Sequence, residues 1–353
     1  MTGTDDGGVK TMEVDGKQHK DKKAEERWNQ LPWVEKYRPD KLDDLVAHDD
    51  IIQIIKNLIE QDQLPHLLLY GPPGTGKTST IVAAAKKMYG SHAAYKSMTL
   101  ELNASDARGI DVVRNQIKEF AGTKQLFSKG IKLIILDECD AMTNDAQFAL
   151  RRIIEKYTSN ARFCLICNYV SKIIPALQSR CTRFRFAPLA RDQIEGRLTE
   201  IAQKEHCNTT PDGMDAILRL SGGDMRRVLN LLQATSMSSD EINGTTVYQT
   251  SGAPLPTDVT IILDLLLNQS MQTAVTDILK LCGTKGYALV DILQELTFEI
   301  TALDLPGPAL ATMLDGMSDI EHRLAFGTSE KIQTAALVGV FVKARHQMEM
   351  ASE

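Results

Sequence analysis

The chain lacks most of the features that mark secreted, membrane-spanning or strongly basic proteins. It has only six cysteines in 353 residues, Cys139, Cys164, Cys167, Cys181, Cys207 and Cys282, and its first residues are polar and charged rather than signal-like. Those two facts argue against a disulfide scaffold and for reduced thiols in the cytosol or nucleus. No apolar run approaches the ~18 residues that a membrane span needs. Nor is there a basic excess, since the net charge is −6. Bulk charge therefore gives no support for nucleic-acid binding, and any such contact must come from a local basic surface. What is present is an ordinary globular composition, 43% hydrophobic and 24% charged, in a chain long enough for two or three domains.

One motif dominates. Gly71-Pro72-Pro73-Gly74-Thr75-Gly76-Lys77-Thr78 fits the P-loop pattern, a glycine, four residues, then Gly-Lys-Thr. Glycines let the backbone turn tightly so that its N–H groups converge on phosphate oxygens. Lys77 reaches the β- and γ-phosphates in this pattern, and the Thr78 hydroxyl holds Mg²⁺. The flanks agree: His66–Tyr70 reads as a short buried strand, and Thr78–Met88 as a helix whose N-terminus faces the phosphates.

Around this loop the pattern alternates. Strands are expected at Leu67–Tyr70, Met98–Leu102, Ile131–Leu136, Arg162–Cys167 and Thr182–Phe186, with helices between them such as Asn144–Thr158. Alternation of this kind implies an α/β domain with a mostly parallel sheet covered on both faces. Residues 1–30 carry few apolar side chains and are expected to be a disordered tail. From Ala190 the pattern is helical, broken at Ser221-Gly222-Gly223-Asp224 and jointed at Gly252-Ala253-Pro254-Leu255-Pro256, and the remainder is all-helical. The expected domains are 31–188 for the nucleotide-binding module, 189–252 for a small helical lid and 253–353 for a helical oligomerisation domain. Cys164 and Cys167 form a C-x-x-C, but on a strand residues three apart face opposite sides, which favours core packing over a shared metal.

Ile134-Ile135-Leu136-Asp137-Glu138 is an apolar strand ending in two acids. Asp137 is placed to bind Mg²⁺ or its water shell, and Glu138 to polarise a water for attack on the γ-phosphate. Asn168 closes the next strand, where an amide either holds that water or caps a turn. Arg180, in Ser179-Arg180-Cys181, is either a surface arginine or a finger that stabilises charge on a transferring phosphate, in trans. Arg226 opens a helix after the Gly-rich break and either closes on the nucleotide or makes a helix-start salt bridge.

With these pieces in order, the chain resembles the AAA+ ATPases and, within them, the small subunits of replication factor C, the eukaryotic sliding-clamp loader. The likeness rests on Trp33-Val34-Glu35-Lys36-Tyr37-Arg38-Pro39, the P-loop, Glu101-Leu102-Asn103-Ala104-Ser105-Asp106, Asp137-Glu138-Cys139-Asp140, Ser179-Arg180-Cys181 and Gly223-Asp224-Met225-Arg226-Arg227. It looks most like the fungal third, or animal fifth, subunit group. Cys139 stands where the family has alanine, and Ala107 where an acid is usual. The resemblance implies an AAA+ module, a lid and an all-helical collar. It implies a nucleotide site formed by Val34, Arg38, Val46, Gly71, Pro72, Pro73, Gly74, Thr75, Gly76, Lys77, Thr78, Ser79, Asn168 and Arg226. Mg²⁺ is expected on Thr78 and Asp137, and catalysis on Glu138, Lys77 and Asn168. Arg180 would serve a neighbouring subunit's ATP.

The implied partners are the other subunits of a hetero-pentamer, the sliding clamp, and primer-template DNA held through its backbone in the nucleus. Arg108, at the start of the helix Gly109–Ala121, with Arg114 and Lys118 at i,i+4 spacing, is the expected DNA strip, in competition with a plain solvated helix face. Two other readings stay open at this point. One is a ring member whose nucleotide is purely structural. The other is a different AAA+ machine, such as a branch-migration motor or unfoldase, although no aromatic pore loop is visible.

Overall fold

The computed structural model describes residues 30–45, 47–105, 110–123 and 130–352. They form two compact units. The first runs to Asn208 and takes in Ile217–Gln233; the second is Thr209–Ala216 with Ala234 onward. The lid boundaries expected from sequence, 189 and 252, cut the chain differently, because helices in that region pass from one unit to the other. The expected tail falls almost entirely outside the described residues.

The first unit holds a five-stranded sheet made of β1 (Leu67–Tyr70), β2 (Thr99–Asn103), β3 (Lys132–Asp137), β4 (Ala161–Cys167) and β5 (Thr182–Arg185). Its order is β2-β3-β4-β1-β5 and every pair is parallel. The helices are α1 (Trp33–Lys36), α2 (Asp49–Glu60), α3 (Lys77–Tyr89), α4 (His92–Met98), α5 (Ile110–Gly122), α6 (Asn144–Tyr157), α7 (Pro175–Gln178) and α8 (Arg191–Lys204). Next come α9 (Pro211–Ser221) and α10 (Met225–Ser238), then α11 (Gly244–Ser251), α12 (Pro256–Asn268), α13 (Met271–Lys285), α14 (Leu289–Ala302), α15 (Gly307–Ala325) and α16 (Glu330–Ser352).

Strand periodicity sorts the sheet's side chains into two cores. Leu67, Leu69, Leu133, Ile135, Cys164 and Ile166 pack with Ile55 of α2 and Ile81, Ala84 and Ala85 of α3. Leu68, Ile134, Leu136, Phe163, Leu165 and Cys167 pack on the other face with Ile117 of α5 and Leu150, Ile153 and Ile154 of α6. Both faces being covered explains why these strands are near-continuous apolar runs rather than alternating ones. Each fully buried Leu or Ile contributes ~1.5–3 kcal/mol. Cys164 and Cys167 fall into different cores, both as free thiols. Burial pushes the Cys167 thiol up to about 12 and Cys164 well above the usual range, so both are inert packing groups.

The helix ends follow their capping chemistry. Thr143 accepts from Ala146 N–H at the start of α6 (3.4 Å), and Ser270 from Thr273 N–H at the start of α13 (3.3 Å). Pro256 is the first residue of α12, where its missing N–H costs nothing. Lys132 Nζ, at the start of β3, donates to Phe120 O (2.8 Å) near the C-terminus of α5. In the second unit Ile262, Leu266, Ile278, Leu296, Met313 and Phe341 belong to one apolar core.

Candidate active site

In the order β2-β3-β4-β1-β5 the connection leaving β1 runs to one edge of the sheet, to β2, and the one leaving its neighbour β4 runs to the other, to β5; ligands of open α/β sheets bind beyond the carboxyl ends of strands at such a switch. β1, β3 and β4 end there in Tyr70, Asp137 and Cys167, and the P-loop, Glu138 and Asn168 follow directly.

Two glycines show why the loop takes this sequence. Gly71 has φ +143°, and a Cβ there would lie 2.0 Å from Phe186 O. Gly74 has φ +68°, and its Cβ would meet the Asp224 carboxylate at 1.6 Å. Asp224 is held there because its Oδ1 accepts from Arg226 N–H (2.8 Å) and Arg227 N–H (3.3 Å), capping α10, while Met225 N–H donates to Gly74 O (3.3 Å). The start of α10 is therefore seated on the phosphate loop, and Arg226 is carried to its rim.

The side chains converge. Thr78 Oγ1 donates to Asp137 Oδ2 at 2.7 Å, which brings together the hydroxyl and carboxylate that a hard divalent cation prefers. Lys77 is buried, and its ammonium donates to Gly71 O (2.8 Å), Pro72 O (2.7 Å) and Asn168 Oδ1 (3.1 Å). Burial pulls its pKa down; the Asp137 charge opposes that, and Arg226 adds to it. The charge of an anion that approaches Lys77 would offset both downward influences. Asn168 is fixed through its backbone, since Asp140 Oδ2 accepts from Asn168 N–H (3.3 Å) and Tyr169 N–H (3.2 Å). Glu138 sits at φ +55° with its N–H on Asp137 Oδ1 (2.8 Å) and is exposed. A non-glycine residue in the left-handed region is strained, and here the strain turns a carboxylate out over the cleft.

The same cleft is lined by Val34, Arg38, Leu45, Ala47, Pro73–Thr80, Asp137, Glu138, Asn168, Leu189, Met225, Arg226 and Leu229, together with Tyr37 and Arg197. Of the residues expected from sequence, Val34, Arg38, Pro73, Gly74, Thr75, Gly76, Lys77, Thr78, Ser79, Asp137, Glu138, Asn168 and Arg226 thus share one site. Gly71 and Pro72 stand behind it, where their carbonyls hold Lys77. Val46 and Arg108 lie outside the described residues.

Three expected residues are elsewhere. Arg180 follows α7 and precedes β5, whose first residue, Thr182, donates its N–H to His66 O (2.8 Å) at the start of β1. It thus lies at the amino edge of the sheet, separated from its own P-loop by the length of β1, about 13 Å at strand rise. Arg114 and Lys118 line a separate groove between α5 and α6, with Arg152, Lys156, Phe148 and Asp145.

Sequence reasoning passed over several of these residues. Tyr37 OH and Lys36 Nζ (2.6 Å) both donate to Glu205 Oε1. Burial pushes the Glu205 carboxyl up, and the hydrogen bonds from Lys36 and Tyr37 outweigh it and hold the carboxyl below its usual range. This anchors the N-terminal wall of the cleft to the end of α8. Arg197 of α8 lines the cleft and pairs with Glu200 (2.7 Å). Its signal was available, because Arg197 lies three and four residues from the buried Ile194 and Ile201, beside the apolar stripe.

Comparison with known proteins agrees with this architecture. Residues 67–189 match the model of the ATPase family associated with various cellular activities (AAA), 191–248 the RFC1-like AAA+ ATPase lid domain, and 254–340 the replication factor C C-terminal domain. The chain is 55% identical over 322 residues to mouse replication factor C subunit 5, covering 91% of this chain and 95% of that one. It is 52% identical to the human subunit 5 (95% and 98% covered) and 50% identical to subunit 3 of Blastobotrys adeninivorans (93% and 97% covered). Among solved structures, the Thermotoga maritima RuvB Holliday junction branch migration motor matches with TM-score 0.50 at 15% identity, over 77% of this chain and 93% of that one, a likeness of fold alone. Sheet order, cleft and sequence identity lead to one conclusion: the chain belongs to the replication factor C subunits, the nucleotide-binding AAA+ ATPases of the multi-subunit clamp loader.

Proposed function

We propose that the cleft binds ATP with Mg²⁺ and hydrolyses it at a subunit interface, as one site of a hetero-pentamer that opens the sliding clamp and places it on primer-template DNA in the nucleus. The observation that carries this reading is the convergence of Thr78–Asp137, Lys77–Asn168, Glu138 and Arg226 on one P-loop.

Thr78 and Asp137 would hold the metal, which when bound neutralises charge on the phosphates. The protein's own work is positioning. Backbone N–H groups at the start of α3 and Lys77 bind phosphate oxygens, with Lys77 trading a loop carbonyl for an anionic partner. Asn168 orients the attacking water and Glu138 polarises it; among the described residues the Glu138 carboxylate has no hydrogen-bond partner to compete. Val34, Leu45, Ala47, Leu189 and Leu229 supply apolar walls for a base. Arg226 closes from the start of α10. Arg180, at the far edge of the sheet, is placed for a neighbour's γ-phosphate, and another subunit's arginine completes the site here. Arg114 and Lys118 of α5, with Arg152 and Lys156 of α6, present two i,i+4 basic pairs to one groove, which suits sequence-independent contact with a DNA backbone.

Glu138→Gln keeps the size and removes the base. In the assembled complex it is expected to leave ATP binding at this site intact and to abolish turnover there, read by nucleotide binding alongside single-turnover hydrolysis. Equal turnover by mutant and wild-type complexes would remove Glu138 from the mechanism.

A further inference from the structure

We propose that Glu155 is the positioning residue for Arg180, holding the guanidinium in the pose it presents to a neighbouring subunit. The proposal rests on the reading of Arg180 as a finger acting in trans.

The backbone of Arg180 is fixed by α7 and the turn that follows it, with Ser179 N–H on Pro175 O (3.0 Å) and Arg180 N–H on Leu177 O (3.1 Å). A backbone anchor alone leaves a long side chain free to rotate. Two contacts remove that freedom. One terminal nitrogen donates to Ala176 O (2.7 Å) and the other to Glu155 Oε1 (2.5 Å). Glu155 is itself well placed. It occupies the last turn of α6, next to Ile154, which is 1% exposed in the sheet's core, and its Oε1 also accepts from Arg151 Nε (3.1 Å). The hydrogen bond from Arg151, with the Arg180 charge adding to it, holds the Glu155 carboxyl below its usual range.

The alternative is that Glu155 withholds Arg180 from a phosphate. Donor count and charge argue otherwise. A guanidinium has five N–H donors, and only two of those on Arg180 are used among the described residues, so three donors remain for phosphate. One carboxylate between two arginines leaves the cluster with a net positive charge. As an exposed ion pair it adds little to stability; its effect is on geometry, where a displacement of about 1 Å can cost on the order of 100-fold in rate.

The test uses the assembled complex with hydrolysis confined to the site that Arg180 faces, the P-loop lysines of the other sites being replaced. Glu155→Ala is expected to lower kcat about tenfold, within the range for a misplaced catalytic group, with KM for ATP unchanged. Glu155→Gln, which can still accept one N–H, should recover part of that loss and guards against a folding artefact. Arg180→Ala should cost ~10³-fold or more, and adding Glu155→Ala to it should change nothing further, as expected for residues that act as one unit. A rise in kcat for Glu155→Ala would show that the carboxylate restrains the finger and would overturn the proposal. So would an unchanged kcat alongside a dead Arg180→Ala complex, leaving the finger reading intact. If Arg180→Ala itself hydrolyses normally, the finger reading falls and the proposal with it.

Discussion

The cleft and the Arg180 edge make an instructive pair. At the cleft, residues distant in sequence converge: Thr78 meets Asp137, Lys77 meets Asn168, and Asp224 seats α10 on Gly74. At the other end of the same sheet, Arg180 is held by Ala176 and Glu155 with most of its donors turned elsewhere. One region gathers its residues within the chain, and the other, on the proposed reading, is half of a site that a neighbouring subunit finishes. A parallel sheet makes this division natural. Its carboxyl ends collect the phosphate loop and acids, its amino ends collect the loops that return, and an arginine on a returning loop cannot serve its own cleft.

The substitution expected to break this contrast most severely is Lys77→Ala. It removes the only ammonium inside the P-loop and should reduce hydrolysis at this site by on the order of 100-fold or more, measured in the assembled complex, while Arg180 continues to support its neighbour. Persistence of turnover at this site would place the phosphates elsewhere. Next in size is Gly74→Ala. The new methyl cannot coexist with the Asp224 carboxylate at 1.6 Å and must occupy φ +68°, so that carboxylate has to leave its cap on Arg226 and Arg227 N–H, which loosens the seating of α10 on the loop. Nucleotide affinity should fall about tenfold by equilibrium binding, with the strain adding ~1 kcal/mol or more of destabilisation. Unchanged affinity would mean that the seating of α10 is irrelevant to binding.

The smallest effect is a control on the scaffold that both regions share. His66, at the amino end of β1, accepts from Phe163 N–H through Nδ1 (3.1 Å) and lies beside Thr158 (3.3 Å). Burial, with the Arg162 charge adding to it, lowers its pKa from 6.5 to about 4. The folded state then binds fewer protons than the unfolded chain between those values. Stability from this residue is complete above about pH 6.5 and declines as pH falls toward 4, by on the order of 2–3 kcal/mol. His66→Gln should flatten that part of the pH–stability curve in denaturant melts, and an unaltered slope would assign the acid sensitivity to other groups.

Much of this was legible in the sequence, for physical reasons. Strands buried on both faces must be apolar throughout, which marked β1, β3 and β4. A phosphate loop needs glycines at fixed offsets, which marked Gly71–Thr78. The less legible features depend on tertiary placement. Nothing local links Tyr37 to Glu205, or Glu155 to Arg180, because a carboxylate on a helix surface pairs as readily with solvent. Arg152 and Lys156 were hidden for a similar reason: an i,i+4 basic pair reads as a solvated face until a second helix brings Arg114 and Lys118 opposite it. The lid was visible as a run of helices, but which of them pack with the sheet depends on contacts that composition does not encode.

The central claim, that this chain holds the binding half of its own site and the finishing arginine of another, is tested most directly by comparing the isolated full chain with the assembled complex in saturating ATP and Mg²⁺. The isolated chain is expected to bind nucleotide and turn it over at least ~10³-fold more slowly than the same site in the complex. Hydrolysis by the isolated chain at the rate of the complex would contradict the account, because the cleft would then be complete by itself.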